Sequence, residues 1–77
     1  MKKVEVFGSG CVKCNRLESN ARKALEAAGI EAEVVHVSDM GEMAERGVMM
    51  TPALAVDGEV VVQGRVPGVE ELQRLFE

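Results

Sequence analysis

VEVFGSGCVKC, residues 4–14, joins a short apolar segment to a glycine-rich turn and to two cysteines three positions apart. The apolar residues before Gly8 predict a β-strand over residues 3–7, and Gly8-Ser9-Gly10 predicts a flexible turn. From about residue 11 to residue 28, apolar side chains recur at steps of three and four, which predicts an α-helix. The cysteine pair therefore falls where a strand ends and a helix begins.

The rest of the chain supplies five further predicted elements. They are a strand over residues 32–37, a short helix over residues 39–46, strands over residues 53–57 and 59–63, and a helix over residues 69–76. Asp57-Gly58, between the last two strands, is a strong hairpin signal. The order β-α-β-α-β-β-α predicts an α/β fold with a four-stranded mixed sheet and helices on both faces.

Length and composition fit one small domain over residues 1–77. Hydrophobic residues make up 47% of the chain and charged residues 29%, which suits a packed core with a hydrated surface. The net charge of −4 disfavours nucleic acid and anionic membranes as partners, because both attract clustered lysine and arginine. No apolar run approaches the roughly 20 residues of a membrane span, so we expect a cytoplasmic protein. No glycine motif for nucleotide phosphates is present, and no cofactor is expected.

The two cysteines are spaced for chemistry rather than for structural cross-linking. A disulfide between Cys11 and Cys14 closes only a short loop and removes little entropy from the unfolded chain. A thiolate, by contrast, is stabilised at a helix N-terminus by unpaired N–H groups and the helix dipole, and Lys13 adds a nearby cation. We therefore predict a lowered pKa and a redox role for Cys11.

The predicted roles of the two thiols follow from their positions along the helix. Cys11, at the helix start, attacks a protein disulfide and forms a mixed disulfide. Cys14, one turn further in and more buried, then attacks Cys11 and releases the reduced substrate. Gly8 and Gly10 leave the attacking sulfur open to a bulky partner. The chain is thus predicted to be a monomeric dithiol–disulfide oxidoreductase that acts on protein disulfides and is re-reduced by a disulfide reductase.

A second segment, Thr51-Pro52, is predicted to face the cysteine pair. Proline at the first residue of a strand loses no hydrogen bond of the sheet, and a Thr-Pro bond at this place invites the cis form. Met49 and Met50 precede it and, with Val12, would form an apolar rim that docks a protein substrate. The sequence leaves open whether Met50 lies on this rim or in the core.

Metal binding is the alternative interpretation of the cysteine pair. A zinc site needs four ligands, and the chain offers only His36 beyond the two cysteines. His36 is predicted to be a strand surface residue, so no metal is expected in a single chain. Two chains that share their cysteine pairs remain an alternative.

Two other classes of protein compete with the oxidoreductase. A copper or zinc chaperone of the ferredoxin-like fold also carries Cys-X-X-Cys after its first strand. Its order, β-α-β-β-α-β, ends in a strand, whereas this chain is predicted to end in a helix, and Ser9 stands where such proteins have methionine. The other competitor is a domain that only binds partners while its cysteine pair is idle.

Together these motifs resemble the thioredoxin superfamily, and more closely its small archaeal and bacterial redox-active disulfide proteins. The resemblance covers nearly the whole chain and rests on four stretches: GSGCVKC (residues 8–14), GVMMTPAL (47–54), VDG (56–58) and GRVP (64–67). It implies a thioredoxin-like fold, a catalytic disulfide at the two cysteines and a cis peptide at Pro52.

The resemblance also implies that the Thr51 backbone hydrogen-bonds an extended substrate segment, as an added strand would. The full predicted site has two catalytic residues, Cys11 and Cys14, with supporting residues Gly10, Val12, Lys13, Met50, Thr51 and Pro52.

The sequence departs from the superfamily's pattern at several positions. Gly10 replaces the tryptophan that precedes the first cysteine of typical thioredoxins, and Val12-Lys13 replaces the Gly-Pro between their cysteines. The buried aspartate that helps deprotonate their second cysteine has no obvious counterpart. Gly64-Arg65-Val66 stands where glutaredoxins carry a Gly-Gly-Asp-like motif, so glutathione binding is not expected. The redox potential therefore does not follow from the resemblance.

Overall fold

The computed structural model describes all residues from 1 to 77 and contains four strands and three helices. The strands are β1 (Lys2–Phe7), β2 (Ala32–Val37), β3 (Ala53–Val56) and β4 (Glu59–Gln63), and the helices are α1 (Val12–Ala28), α2 (Met40–Glu45) and α3 (Val69–Phe76). The predicted order β-α-β-α-β-β-α is confirmed.

The four strands form one mixed sheet in the order β2-β1-β3-β4. β1 runs parallel to β2 and antiparallel to β3, and β3 and β4 form the antiparallel hairpin. In this register Phe7 lies beside both Val37 and Ala53, and Ala53 in turn lies opposite Gln63. The end of β1, the end of β2, the start of β3 and the end of β4 therefore meet at one edge of the sheet.

Helices cover both faces of the sheet, as predicted. α1 and α3 pack on the face formed by Val4, Val6, Leu54 and Val62, and α2 packs on the face that includes Phe7 and Ala55. Neighbouring residues of a strand point to opposite faces, which explains why Val6 lies on the first face and Phe7, the next residue of β1, lies on the second. The fully buried side chains of the first face include Leu17, Ala21, Ala24, Leu72 and Phe76.

The ends of the elements follow local backbone chemistry. Asp39 caps α2 by accepting hydrogen bonds from the N–H groups of Gly41 and Glu42, at 2.8 and 3.2 Å. β3 ends at Val56, one residue earlier than predicted, because Asp57 (φ 51°) and Gly58 (φ 90°) both adopt the left-handed conformations of the hairpin turn. The three helices are too short or too polar to cross a bilayer.

Candidate active site

The cysteine pair lies at the junction of β1 and α1, where the sequence predicts it. Cys11 is the N-cap of α1, with extended backbone angles (φ −71°, ψ 175°). Gly10 takes a φ of 86°, a left-handed conformation that favours glycine, and so turns the chain from the loop into the helix. The thiol of Cys11 is thereby placed at the end of α1 that carries the unpaired N–H groups.

The two sulfurs are close together but differ in their exposure to solvent. The Sγ atoms of Cys11 and Cys14 are 3.3 Å apart, and both cysteines are in the free thiol form. Cys11 is exposed, whereas the side chain of Cys14 is buried, with 1% of its surface accessible. A bulky partner therefore has access to one sulfur of the pair only.

The pKa of Cys11 is lowered from the ordinary thiol value by hydrogen-bond donors at the helix start. The backbone N–H of Cys14 is the largest cause, followed by the thiol of Cys14, while desolvation opposes the shift. Lys13 contributes through its backbone N–H, and not through its side-chain charge as predicted. The helix geometry thus supplies the stabilisation of the thiolate.

Gly8 has a different role from the one predicted. A β-carbon at this position would overlap the Sγ atom of Cys14, so the missing side chain makes room for the buried thiol and does not open the attacking sulfur. The carbonyl oxygen of Gly8 accepts a hydrogen bond from Nε2 of His36 at 3.1 Å. His36 is exposed on β2, as predicted, and its Nδ1 faces a carboxylate oxygen of Glu18 at 3.5 Å. His36 therefore links the loop before Cys11 to α1.

The second predicted segment lies at the same edge of the sheet as the cysteines. The peptide bond between Thr51 and Pro52 is cis, which confirms the expectation for this proline. Pro52 directly precedes β3, and the first residue of β3, Ala53, pairs with Phe7 at the end of β1. The register of the sheet therefore brings the cis-proline segment and the start of α1 together.

Three apolar side chains around this edge are left in solvent. Met49 is 89% exposed, Val12 is 74% exposed and Met50 is 60% exposed. The location of Met50, which the sequence leaves open, is therefore the surface and not the core. Val12 directly follows Cys11 and Met50 directly precedes Thr51, and exposed apolar residues next to an accessible thiol are typical of a docking surface.

The cis-proline segment is also contacted by one polar side chain that was not among the residues predicted from the sequence. Oε1 of Gln63 accepts hydrogen bonds from the backbone N–H groups of Met49 and Met50, at 2.8 and 3.2 Å. Gln63 ends β4 at the edge of the sheet that carries the site. Its position as the first polar residue after the apolar run 60–62 is a signal of a turn, but it does not identify the contact.

A buried carboxylate was not predicted from the sequence, in which the buried aspartate of the superfamily had no obvious counterpart. Glu5, on the central strand β1, is only 4% exposed and forms a bidentate ion pair with Arg46, with N–O distances of 2.6 and 2.7 Å. The hydrogen bonds from Arg46 hold the pKa of Glu5 below its usual value against the opposing effect of burial. A charged residue between two core valines, Val4 and Val6, was the available signal.

The side chains do not support the metal alternatives. Nowhere in the structure do three or more His, Cys, Asp or Glu side chains converge as a set of metal ligands. The chain ends in α3, which packs against α1, and not in the final strand that a ferredoxin-like chaperone requires. The site therefore offers two thiols, one of them accessible, beside an exposed apolar segment.

Comparisons with known proteins agree with this fold and site. The family model of the thioredoxin domain matches residues 2–77. A thioredoxin of Methanothermobacter thermautotrophicus is 41% identical over 76 residues, which cover 99% of each chain. A thioredoxin of Methanocaldococcus jannaschii is 46% identical over 70 residues, which cover 91% of this chain and 80% of the relative.

Solved structures are more distant in sequence and agree in fold. The oxidised thioredoxin of Plasmodium falciparum superposes with a TM-score of 0.65 at 15% identity, over 97% of this chain and 77% of its own. A Nu-class GST from Haemonchus contortus superposes with a TM-score of 0.53 at 24% identity, over 99% of this chain and only 37% of that longer chain.

The fold, the helix-start cysteine pair and the cis-proline segment define a thiol–disulfide oxidoreductase of the thioredoxin fold. The chain belongs to the thioredoxin family. Thioredoxins act on protein disulfides and are themselves reduced by a reductase.

Proposed function

We propose that Cys11 is the attacking thiol and Cys14 the resolving thiol in the exchange of electrons with protein disulfides. The observation that carries this assignment is a pair of sulfurs 3.3 Å apart, of which one is exposed at the helix start and the other is buried. The lowered pKa of Cys11 supports its role as the nucleophile, because the thiolate is the reactive form.

In the first step the Cys11 thiolate attacks one sulfur of a substrate disulfide. A bond forms between that sulfur and Sγ of Cys11, the substrate disulfide breaks, and the second substrate sulfur leaves as a thiolate and takes up a proton. The donors at the start of α1, chiefly the backbone N–H of Cys14, stabilise the attacking thiolate before the step.

In the second step Cys14 loses its proton and its sulfur attacks Sγ of Cys11. The Cys11–Cys14 disulfide forms, the mixed disulfide breaks, and the remaining substrate sulfur leaves and is protonated. Two electrons have then passed from the chain to the substrate. A disulfide reductase returns two electrons to the pair, and the same steps in reverse oxidise a substrate dithiol.

The substrate docks on the exposed segment beside the thiols. Val12, Met49 and Met50 cover its apolar side chains, and Gly10 leaves the approach to Cys11 unobstructed. The backbone of Thr51, held in place by the cis peptide to Pro52, hydrogen-bonds the substrate segment in the manner of an added strand. Lys13 supplies a backbone N–H to the thiolate.

The proposal extends to the state in which the protein works. Residues 1–77 act as one domain and as a monomer, because both thiols and the docking segment come from the same chain. A reducing compartment such as the cytoplasm keeps the pair available as a dithiol. Gel filtration with light scattering checks the monomer, and fractionation of cells checks the compartment.

Reduction of insulin disulfides, with dithiothreitol as the electron donor, tests the assignment of the two thiols. We expect the parent protein to be active and Cys11→Ser to be inactive. Cys14→Ser should form a mixed disulfide with an oxidised peptide substrate that persists and is found on Cys11 by mass spectrometry, because the resolving thiol is missing.

The double variant Cys11→Ser/Cys14→Ser is the matched control for reactions of other residues. Equal activity of Cys11→Ser and the parent would reject the role of Cys11 and would leave a binding domain with an idle cysteine pair. A stable mixed disulfide on Cys14 in the Cys11→Ser variant would reverse the two roles.

A further inference from the structure

The segment before the cis peptide is held by the last residue of β4. Oε1 of Gln63 accepts the N–H groups of Met49 and Met50, at 2.8 and 3.2 Å, and these are two consecutive donors of one backbone segment. In an extended strand, consecutive N–H groups point in opposite directions, so one acceptor cannot serve both. The bond pair therefore selects a turned backbone of residues 49–50 over an extended one.

The next residue along the chain holds the other side of the same segment. The N–H of Gly64 donates to the carbonyl oxygen of Pro52 at 2.8 Å. A β-carbon on Gly64 would lie 2.8 Å from Cε of Met50, the end of a flexible side chain that can move, so it is the φ of Gly64, 73°, that favours glycine at this position. Gln63 and Gly64 thus fix the backbone on both sides of Thr51.

Side-chain packing does not provide this restraint. Met49 is 89% exposed and Met50 is 60% exposed, so the core holds neither of them. Without an acceptor from β4, the two N–H groups would bind water and the exposed segment would sample other conformations. Ordering it would then be a cost of binding each substrate.

We propose that Gln63 is a positioning residue for protein substrates, which acts by pre-organising residues 49–51 for docking. This inference rests on the proposed function and adds to it a residue outside the thiol pair and outside the docking segment. Gln63 does not touch the reacting sulfurs in this proposal. Its effect is therefore on the binding of a protein disulfide and not on the chemistry of Cys11.

The matched variants are Gln63→Met, which has a similar size and lacks the oxygen acceptor, and Gln63→Glu, which retains it. With insulin as substrate, Gln63→Met should raise KM roughly tenfold. A tenfold change in affinity corresponds to the net contribution of about one hydrogen bond. The value of kcat and the rate of Cys11 alkylation by iodoacetamide should change less than about twofold, because Gln63 acts on substrate binding and not on the chemistry of Cys11. Gln63→Glu should restore KM to near the parent value.

Several outcomes would overturn the proposal. An unchanged KM in Gln63→Met means that the acceptor does not position the segment, and equal defects in Gln63→Met and Gln63→Glu mean that the oxygen is not the reason. A parallel loss of kcat, alkylation rate and thermal stability means that Gln63 has a general structural role. Should Gln63→Met not fold, Gln63→Ser, which is polar but too short to reach, replaces it. If the proposed function itself is wrong, the parent protein does not reduce insulin and the parent KM cannot be measured.

Discussion

The sulfur of Cys14 occupies the space that a β-carbon on Gly8 would need. The buried thiol is therefore packed directly against the backbone that follows β1. This contact holds the start of α1 close to the end of β1. Because Cys14 is only 1% exposed, moving its sulfur would disturb the packed interior around it. The close approach of the loop and the helix thus depends on glycine at position 8.

Gly8→Ala should destabilise the reduced protein by about 1–3 kcal/mol, the usual cost of forcing extra volume into a packed site. The measurement is the free energy of unfolding in urea under reducing conditions. Gly68→Ala is the matched control, because nothing lies within 4 Å of its added carbon and its φ of −77° suits alanine. Gly68 is the N-cap of α3, so that change costs at most about 1 kcal/mol. Equal stability of the two variants would contradict the contact.

The alkylation of Cys11 should depend on pH with a midpoint below that of an ordinary thiol. Its pKa is lowered mainly by the backbone N–H of Cys14, and since the thiolate reacts, the rate rises with pH through this lowered pKa. Iodoacetamide labelling of the reduced protein, followed by mass spectrometry, gives the midpoint. The same protein unfolded in urea should show a midpoint of about 8.5.

A variant separates the two main causes of this shift. Cys14→Ala removes the side-chain donor of Cys14 but keeps the backbone N–H, which is the larger cause, so the midpoint should move only part of the way towards the unfolded value. Identical midpoints in the folded and unfolded parent protein would show that the helix start does not activate Cys11.

The free energy of unfolding should depend on pH in opposite directions in the parent protein, which has the Glu5–Arg46 ion pair, and in the variant Arg46→Met, which lacks it. In the parent, the pKa of Glu5 is lowered, so its contribution to stability is present above the pKa of an unfolded glutamate and is lost as pH falls through the folded pKa. In Arg46→Met, the effect of burial on Glu5 outweighs the remaining attraction of Lys3 and raises the pKa of Glu5, so stability is lost as pH rises.

At pH 7 the Arg46→Met variant should be less stable than the parent, because it leaves the buried carboxylate of Glu5 without its partner. The deficit should shrink when unfolding is measured near pH 4. Glu5→Leu/Arg46→Met is the control, since it leaves no buried charge and should recover most of the loss. A deficit that does not depend on pH would mean that Arg46 stabilises the fold by packing on Phe7, where its guanidinium lies 5.6 Å from the ring.

Gly58→Ala should destabilise the protein by about 1–2 kcal/mol, because Gly58 has a φ of 90° in the hairpin turn. Thermal or urea unfolding measures the loss. Asp57→Asn is the control: asparagine also tolerates the left-handed conformation and keeps the oxygen that accepts the N–H of Lys3 at 2.9 Å. If Gly58→Ala is as stable as Asp57→Asn, the turn does not require glycine.

The sequence predicted those features that arise from neighbouring residues. The helices and strands follow from the spacing of apolar side chains, the hairpin follows from Asp57-Gly58, and the helix-start position of Cys11 follows from the strand and turn before it. The cis peptide at Pro52 is implied by the resemblance to the thioredoxin superfamily, which adds long-range information that local patterns lack.

The contacts that the sequence did not predict join residues far apart in the chain. Gln63 meets Met49 and Met50, and Arg46 meets Glu5, only because the sheet register places their strands and loops side by side. Local patterns carry no information on that register, so a glutamine after an apolar run is indistinguishable from any exposed residue. The same limit applies to Gly8, which was predicted to leave the sulfur of Cys11 accessible but instead makes room for the sulfur of Cys14.

The first strand of the chain lies in the middle of the sheet, between neighbours that are synthesised later. At about 5–20 residues per second, a ribosome needs roughly 2–9 s for the 46 positions that separate Phe7 from its partner Ala53. Until then β1 can pair only with β2, and its other edge presents unpaired backbone groups to any strand nearby. The nascent chain is therefore most open to misassembly before β3 emerges, and a chaperone that helps it would have to act in that interval.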